Sequence, residues 1–251
     1  RFSRFNTQLK HAAGAVCNEG FNLLSKLEVR EVHYKTIYDN LKSKTCPFCG
    51  TEPFDPPSLA SEDEDHYLAR SIYPLAAANL SNLVPMGSKC NQRYKGKIDI
   101  LHVGGNRRKA LNPYGVVAAD ISLVNSQPMA GINGKPNWKI DLVPDAEEIY
   151  TWESVFLIRK RLAESIFEPY FDTWISELPD WFLIAKVDEN VDDESLITEL
   201  EKFVAYKTKH REQGAGFFKN KVFEFLAYHC RQGNGNVIAM LRSCLPKPLA
   251  T

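Results

Sequence analysis

The sequence predicts an α+β fold in which a small irregular centre lies between N-terminal helices and a mainly helical C-terminal region. Three observations lead to this prediction. Both ends of the chain have helical periodicity, the segment CPFCGTEPFDPPSL has four prolines and a glycine that break any helix, and two short alternating segments follow it. We therefore expect four regions: an N-terminal helical segment (1–45), a central core (46–110), a loop and β-hairpin extension (111–144) and a helical C-terminal region (145–251).

Each element has its own local signal. The absence of proline before Pro47 favours helices at 5–27 and 32–43, and a short helix is predicted from Cys90 to about Lys97. The stretch GGNRRKALNPYG is predicted to be loop, and DISLVNSQP and NWKIDLVP are predicted strands around INGKP. Long amphipathic helices are predicted after Pro144, the first beginning at the cap residue Asp145. Their dense aromatic side chains are expected to be mostly buried.

The composition is that of a globular protein with a substantial core. The 251 residues are 44% hydrophobic and 25% charged, and the formal net charge is zero, so binding of polyanions through overall charge is not indicated. No apolar stretch approaches membrane-spanning length, so we expect no membrane association. The chain is too long for a disulfide scaffold, and its six cysteines therefore indicate reduced thiols and a cytoplasmic location.

Three cysteines are candidate ligands of a structural zinc ion. Cys46 and Cys49 have the spacing of a zinc knuckle, in which two thiolates bind one tetrahedral ion. A second CxxC would normally complete the site, but the sequence reads GSKC, with Gly87 where the first thiol would stand before Cys90. The fourth ligand is therefore open. His33 and His102 are candidates for this fourth ligand. Alternatively, the core is held by hydrophobic packing and binds no zinc.

The pair Asp65–His66 in the segment DEDH combines a hard oxygen ligand with a titratable base. Hydrolysis of a phosphodiester needs both, because a divalent ion neutralises charge that develops on the phosphate and an imidazole takes a proton from water. Histidine suits this role near pH 7, since its unperturbed pKa is close to that value. A histidine beside acids on a surface is the ordinary alternative, and the neighbouring motifs argue against it.

Together, CPFCG, DEDHYLARSIYP and NLVPMGSKCNQRYKGK resemble the HNH endonuclease family over residues 46 to 99. The resemblance implies a ββα-metal finger with His66 as the general base. It implies that Asp65 and Asn91 hold one Mg²⁺ or Mn²⁺ ion and that Asn82 braces the loop carrying the base. If a helix starts near Asn91, Lys95 lies one turn further on the same face, where we expect it to contact a phosphate. The sequence departs from the family at Ala69, where a proline is usual, and at Gly87.

The function predicted by this resemblance is metal-dependent hydrolysis of DNA. A run of basic residues is expected to contact the nucleic-acid backbone: Lys89, Arg93, Lys95, Lys97, Arg107 and Arg108. Two alternatives stay open. One is a non-catalytic module that only docks nucleic acid. The other is the nuclease effector subunit of a larger phage-defence or toxin assembly, in which the C-terminal helices bind a protein partner or a second copy.

Overall fold

A computed structural model describes residues 6–59, 64–209 and 215–246 of the chain. The described residues combine helices with three two-stranded antiparallel sheets, which is compatible with the predicted α+β class. The chain divides into two compact units, Arg1–Ala118 with Asp145–Ile158 and Ala119–Pro144 with Arg159–Thr251. The region expected as one helical segment at 145–251 is therefore shared between the units, because its first helix packs with the central core.

Unit 1 begins with two helices that lie close to the predicted positions. Helix α1 spans Thr7–Lys26 and helix α2 spans Val29–Asn40. The Asn6 side chain caps α1 by accepting a hydrogen bond from the Leu9 N–H at 2.8 Å, which satisfies one of the free donors of the first turn. Glu28 separates the two helices in a left-handed conformation with φ 56°, so the chain changes direction there.

A two-stranded sheet followed by a single helix forms the centre of unit 1. Strand β1 (Glu64–His66) pairs antiparallel with β2 (Leu83–Pro85) and places His66 opposite Leu83. A π-helix, Lys89–Lys95, follows at once and ends at Gly96, which has φ 46°. It replaces the helix predicted from Cys90 to Lys97. We call residues 64–95 the ββα segment.

A hairpin stands where the sequence predicted only loop. Strands β3 (His102–Val103) and β4 (Asn106–Arg107) pair antiparallel across Gly104 and Gly105. Both glycines have positive φ, 55° and 86°, which is the requirement of the tight turns that join such strands. The loop prediction was wrong here because the two-residue strands are too short to show an alternating pattern.

Helix α3 (Glu147–Phe156) completes unit 1 by packing on the segment around Cys46. The Trp152 indole N–H donates to the Phe48 carbonyl oxygen at 2.9 Å, and the Phe156 ring lies 4.9 Å from that of Phe48. Leu157 then takes a left-handed conformation with φ 51° and ends the helix that the sequence predicted to begin at Asp145.

Unit 2 contains one small sheet and most of the C-terminal helices. Strands β5 (Asp120–Ser122) and β6 (Asp141–Val143) form an antiparallel pair and are shorter than predicted. The helices are α4 (Ile158–Leu162), a π-helical turn (Ala163–Phe167), α5 (Glu168–Ile175), α6 (Glu177–Ile184), α7 (Asp193–Lys209), α8 (Ala215–Arg231) and α9 (Gly235–Ser243).

Aromatic side chains form the core of unit 2. The Trp138 ring lies within 6 Å of the rings of Phe167, Phe171 and Phe225, and all three phenylalanines are buried. The expectation that most aromatic side chains of this region are buried is confirmed, although Tyr170 remains 49% exposed. Within the described parts of the chain, no helix is both long and apolar enough to cross a membrane.

Candidate functional site

The three predicted zinc ligands lie together. The sulfur atoms of Cys46, Cys49 and Cys90 are within 4.8 Å of one another, and all three residues are buried. All six cysteines of the chain are free of disulfide bonds. Three sulfurs at this separation can share one metal ion such as zinc, which binds thiolates at about 2.3 Å in a tetrahedral arrangement.

Local backbone geometry explains why the first two thiols converge. The Gly50 N–H donates to the Cys46 carbonyl oxygen at 2.8 Å and closes a turn that places both thiols on the same side. The Thr51 hydroxyl donates to the Cys49 sulfur at 3.2 Å. Hydrogen bonds with Cys46 and Cys90 hold the pKa of Cys49 far below its ordinary 9.0, whereas hydrogen bonds within the same trio raise the pKa of Cys46. The turn and these hydrogen bonds hold the three thiols close together.

Neither histidine that we considered as a fourth ligand joins the thiol cluster. His33 Nδ1 pairs with the buried Glu64 carboxylate instead. His102 Nδ1 lies 3.3 Å from an Asp99 oxygen and 3.1 Å from the Tyr73 hydroxyl. Both imidazoles therefore have other partners, and the fourth position must be sought elsewhere.

A second region of unit 1, a cleft of about 710 Å³, contains the residues predicted to perform chemistry. His66, Asp65, Asn91 and Lys95 all line it. They come from β1 and from the π-helix, which the antiparallel pairing of β1 with β2 brings together. The sequence prediction that these four side chains share one site agrees with this arrangement, although their chemical roles stay predictions.

The His66 imidazole is half-buried and oriented by the backbone. Its Nε2 lies 3.0 Å from the Ala77 carbonyl oxygen, and the Phe21 ring packs 4.6 Å from its centre. Because a carbonyl oxygen can only accept, Nε2 carries the proton in this hydrogen bond and Nδ1 keeps a lone pair. Burial lowers the pKa of His66 below its ordinary 6.5, and the nearby charges of Arg70 and Lys95 add to this effect.

Asp65 forms a close ion pair with the buried end of the π-helix. The Lys95 ammonium lies 2.5 Å from Asp65 Oδ2, and the Lys95 side chain is only 1% exposed. Lys95 also donates to the Gly96 carbonyl oxygen at 3.3 Å. A charge in such surroundings must be compensated, and in this state each group compensates the other. Lys95 therefore faces Asp65 and is not presented to solvent. The predicted contact with a phosphate would favour an exposed ammonium.

Asn82 holds the loop between β1 and β2. Its side-chain oxygen accepts from the Leu68 N–H at 2.7 Å, and its amide donates to the carbonyl oxygens of Leu68 at 3.2 Å and Ala76 at 3.1 Å. The Ala76 contact lies next to Ala77, whose carbonyl oxygen orients His66. The bracing expected of Asn82 therefore has a direct geometric counterpart, and Asn82 itself does not line the cleft.

The residues predicted to contact a nucleic-acid backbone are not equivalent. Lys89, Arg93, Lys97 and Arg107 are exposed, and of these only Lys97 lines the cleft. Arg108 instead donates to the carbonyl oxygens of Ile100 and Asp99 and to the Ser154 hydroxyl. These contacts tie the β3–β4 hairpin to α3. They give Arg108 a structural role within unit 1.

Sequence reasoning missed the cations that the N-terminal helices and the loop after β1 bring to the cleft. The cleft is lined by five cations and two carboxylates: Lys10, Arg30, Arg70, Lys95, Lys97, Glu64 and Asp65. A signal for the α1 contribution was present, because Lys10, Gly14, Asn18 and Phe21 recur at helical spacing and share one face. Arg30 and Arg70 gave no such local signal.

Glu64 forms the inner wall of the cleft beside Asp65. It is buried and pairs with His33, and its other oxygen lies 3.5 Å from Arg30 Nε. Burial raises the pKa of Glu64 above its ordinary 4.5, while His33 and Arg30 act in the opposite direction. Both partners come from α2, so these polar contacts attach this helix to β1.

Comparisons of the chain with protein-family models, with curated proteins and with solved structures found no match. A function must therefore be argued from the site itself.

Proposed function

We propose that this protein is a metal-dependent HNH endonuclease that hydrolyses phosphodiester bonds of DNA. The observation that supports this proposal most is the oriented His66 imidazole, which donates to Ala77 O at 3.0 Å within a cleft that Asp65 and Asn91 also line. A base, two oxygen ligands and a cationic rim together match the needs of phosphodiester hydrolysis.

His66 would act as the general base. With its Nε2 proton engaged by the Ala77 carbonyl, Nδ1 is the atom that can accept a proton from water. The lowered pKa keeps the imidazole neutral at pH 7, as a base must be. Phe21 covers one side of the ring and limits the directions from which water can approach. Asn82 is a positioning residue, because it holds the loop that supplies the Ala77 carbonyl.

The donor set suits a hard divalent ion. Asp65 offers a carboxylate and Asn91 an amide oxygen, and oxygen ligands favour Mg²⁺ or Mn²⁺. A bound ion would stabilise negative charge that develops on the phosphate during cleavage. The Lys95 ammonium lies 2.5 Å from Asp65 Oδ2 and balances the charge that a bound ion would otherwise neutralise.

Cationic residues around the cleft supply the attraction for the nucleic-acid backbone. Lys10, Arg70 and Lys97 line its rim together with the catalytic candidates. Contacts of this kind bind phosphates and do not contact base edges, so we expect weak sequence specificity and strong salt dependence. The resemblance to HNH enzymes implies products with a 5′-phosphate and a 3′-hydroxyl.

The test is cleavage of supercoiled plasmid with Mg²⁺, with Mn²⁺ and with EDTA. His66→Ala should lower the rate by roughly 10²–10⁴-fold, the usual contribution of a general base, while DNA binding and thermal stability change little. His229→Ala is a matched control, because His229 also bonds a backbone carbonyl, Val124 O at 3.0 Å, and lies in unit 2. Its cleavage rate should equal that of the wild type.

Two results would contradict the proposal. Retention of the wild-type rate by His66→Ala would remove the assignment of the base. DNA binding without metal-dependent cleavage would instead favour the non-catalytic docking module.

A protein partner or second copy at the C-terminal helices remains part of the proposal. Leu183 and Ile184, at the end of α6, are 63% and 76% exposed, and exposed neighbouring apolar side chains are typical of contact surfaces. Sedimentation of wild type and of Leu183→Lys tests it, since a complex that involves this end should weaken in the variant.

A further inference from the structure

The thiol cluster has three sulfurs, and the position where a fourth thiol would be expected is occupied by Gly87. The spacing Gly87–x–x–Cys90 repeats that of Cys46 and Cys49 but lacks the first thiol. Gly87 is buried, and a Cβ atom built on it would lie 2.3 Å from Oε2 and 2.4 Å from Cδ of Glu52. The Glu52 carboxylate therefore occupies the volume that a cysteine side chain at position 87 would need.

The surrounding backbone holds Glu52 beside the thiols. The Cys46 N–H donates to the Glu52 carbonyl oxygen at 2.8 Å, so the two residues face each other across a short antiparallel return of the chain. The Ser88 hydroxyl donates to Glu52 Oε1 at 3.1 Å. Ser88 lies between Gly87 and Cys90, so this bond also points the carboxylate toward the turn that carries the third thiol.

The other carboxylate oxygen, Oε2, is buried and has no hydrogen-bond partner among the described residues. Such an atom is unfavourable, because a buried carboxylate without compensation loses its hydration and gains nothing in return. A cation held by the adjacent thiols would supply the missing partner. The oxygen that lacks a partner is thus the same atom that fills the space of a Cβ at position 87.

We propose that Glu52 is the fourth ligand of a Cys3Glu zinc site formed with Cys46, Cys49 and Cys90. The carboxylate lies outside the group of three mutually close sulfurs, so ligation requires a rotation of the Glu52 side chain toward them. Zinc accepts carboxylate oxygen at about 2.0–2.2 Å alongside sulfur. A carboxylate also carries the same charge as the thiolate it would replace, so the total charge of the site is that of four cysteines.

Zinc affinity is the first measurement. Glu52→Gln keeps the shape of the side chain and removes its charge, and Glu52→Ala removes the ligand. Both should weaken zinc binding, measured by competition with a chromophoric chelator, by at least about 10–100-fold, the range found when even outer partners of metal ligands are lost. Asp55→Asn is the matched control, since it removes one exposed carboxylate three residues away and should leave the affinity unchanged.

A rescue variant guards against simple loss of folding. Gly87→Cys alone should weaken zinc binding or leave it unimproved, because the new Cβ collides with Glu52. Glu52→Ala combined with Gly87→Cys removes the collision and creates a four-thiolate site. The double variant should therefore bind zinc at least as tightly as the wild type. With Co²⁺ in place of zinc, its sulfur-to-metal charge-transfer absorption should exceed that of the wild type by about a third, in proportion to the number of thiolates.

X-ray absorption at the zinc edge of wild-type protein should indicate three sulfur ligands and one oxygen. Unchanged zinc affinity in Glu52→Gln and Glu52→Ala would overturn the proposal, and so would four sulfurs in the wild type, a chain that binds no zinc, or a double variant that fails to recover binding. None of these measurements uses DNA cleavage, so failure of the nuclease proposal and failure of this one are distinguishable.

Discussion

The thiol cluster and the cleft belong to the same compact unit but differ in exposure and in chemistry. Cys46 and Cys90 are fully buried, whereas Asp65 and His66 are half-buried beside an open cleft. Structural metal sites are closed by protein ligands, and sites that act on a substrate keep positions open. Under the proposed function, the thiols would stabilise the fold and the cleft would carry the chemistry, so changes in the two regions should affect different measurements.

The largest effect should come from Cys46→Ser, which tests the stabilising role of the thiol cluster. Metal binding to structural zinc sites amounts to about 10–16 kcal/mol in zinc-finger peptides, comparable with the whole stability of a domain. We therefore expect loss of zinc and loss of cooperative unfolding of unit 1, measured by elemental analysis and calorimetry. Cys17→Ser is the control, because Cys17 lies on α1 outside the cluster. A zinc-free variant of unchanged stability would contradict the expectation.

Lys95→Met examines the cleft by removing one member of its buried ion pair. Asp65 would lose the ammonium 2.5 Å away, and breaking such a pair typically costs about 3–5 kcal/mol. Chemical denaturation should detect this loss, and Mg²⁺ should stabilise the variant more than the wild type, because an ion can replace the missing charge. Lys97→Met, an exposed residue of the same cleft, should change stability by less than about 0.5 kcal/mol. Equal losses in both variants would mean that the pair has no special role.

Asn82→Ala separates positioning from chemistry within the cleft. The variant leaves the backbone groups of Leu68 and Ala76 without their partners, and we expect a loss of at least about 1–3 kcal/mol in unfolding free energy. Cleavage should fall as well, because the loop that orients His66 loosens. Asn79→Ala removes a single exposed hydrogen bond, which the Asn79 side chain accepts from the Ser81 N–H. Its loss of unfolding free energy should be only a few tenths of the loss in Asn82→Ala. A wild-type rate in Asn82→Ala would show that the brace does not serve His66.

The smallest effect concerns pH. The folded pKa of His66 lies below 6.5, so as the pH falls through 6.5 the unfolded chain binds a proton that the folded chain does not. The difference in proton binding should therefore lower the free energy of unfolding below pH 6.5 and have no effect above it. The loss is at most about 1.4 kcal/mol for each pH unit between the two pKa values. The acid limb of the cleavage profile should likewise lie below 6.5. The dependence of stability on pH should be weaker in His66→Ala. An acid limb of the cleavage profile above pH 6.5 would indicate another base.

Much of the candidate site could be predicted because its signals are local. A separation of two residues brings Cys46 and Cys49 together in a single turn, and adjacency alone brings Asp65 beside His66. The two N-terminal helices and the strand pair at 120–143 also follow from short-range patterns. Helix α9 was missed, although Asn234 caps it by accepting from the Val237 N–H, because its nine residues are too few to show a clear period.

Other features depend on residues far apart in the chain, and no local pattern specifies them. Helix α1 brings Phe21 against His66, and the π-helix turns Lys95 inward onto Asp65 instead of outward to a phosphate. The left-handed Leu157 divides the C-terminal helices between two units.

The sequence by itself determined which chemical groups this protein offers: three thiols, a carboxylate beside an imidazole, and a basic run. Only the tertiary structure decided which groups face one another, because burial and charge pairing depend on contacts between distant segments. Glu52 is the clearest case. Its sequence position next to CPFCG carries no ligand spacing, yet folding brings its carboxylate into the space left by the missing side chain of Gly87.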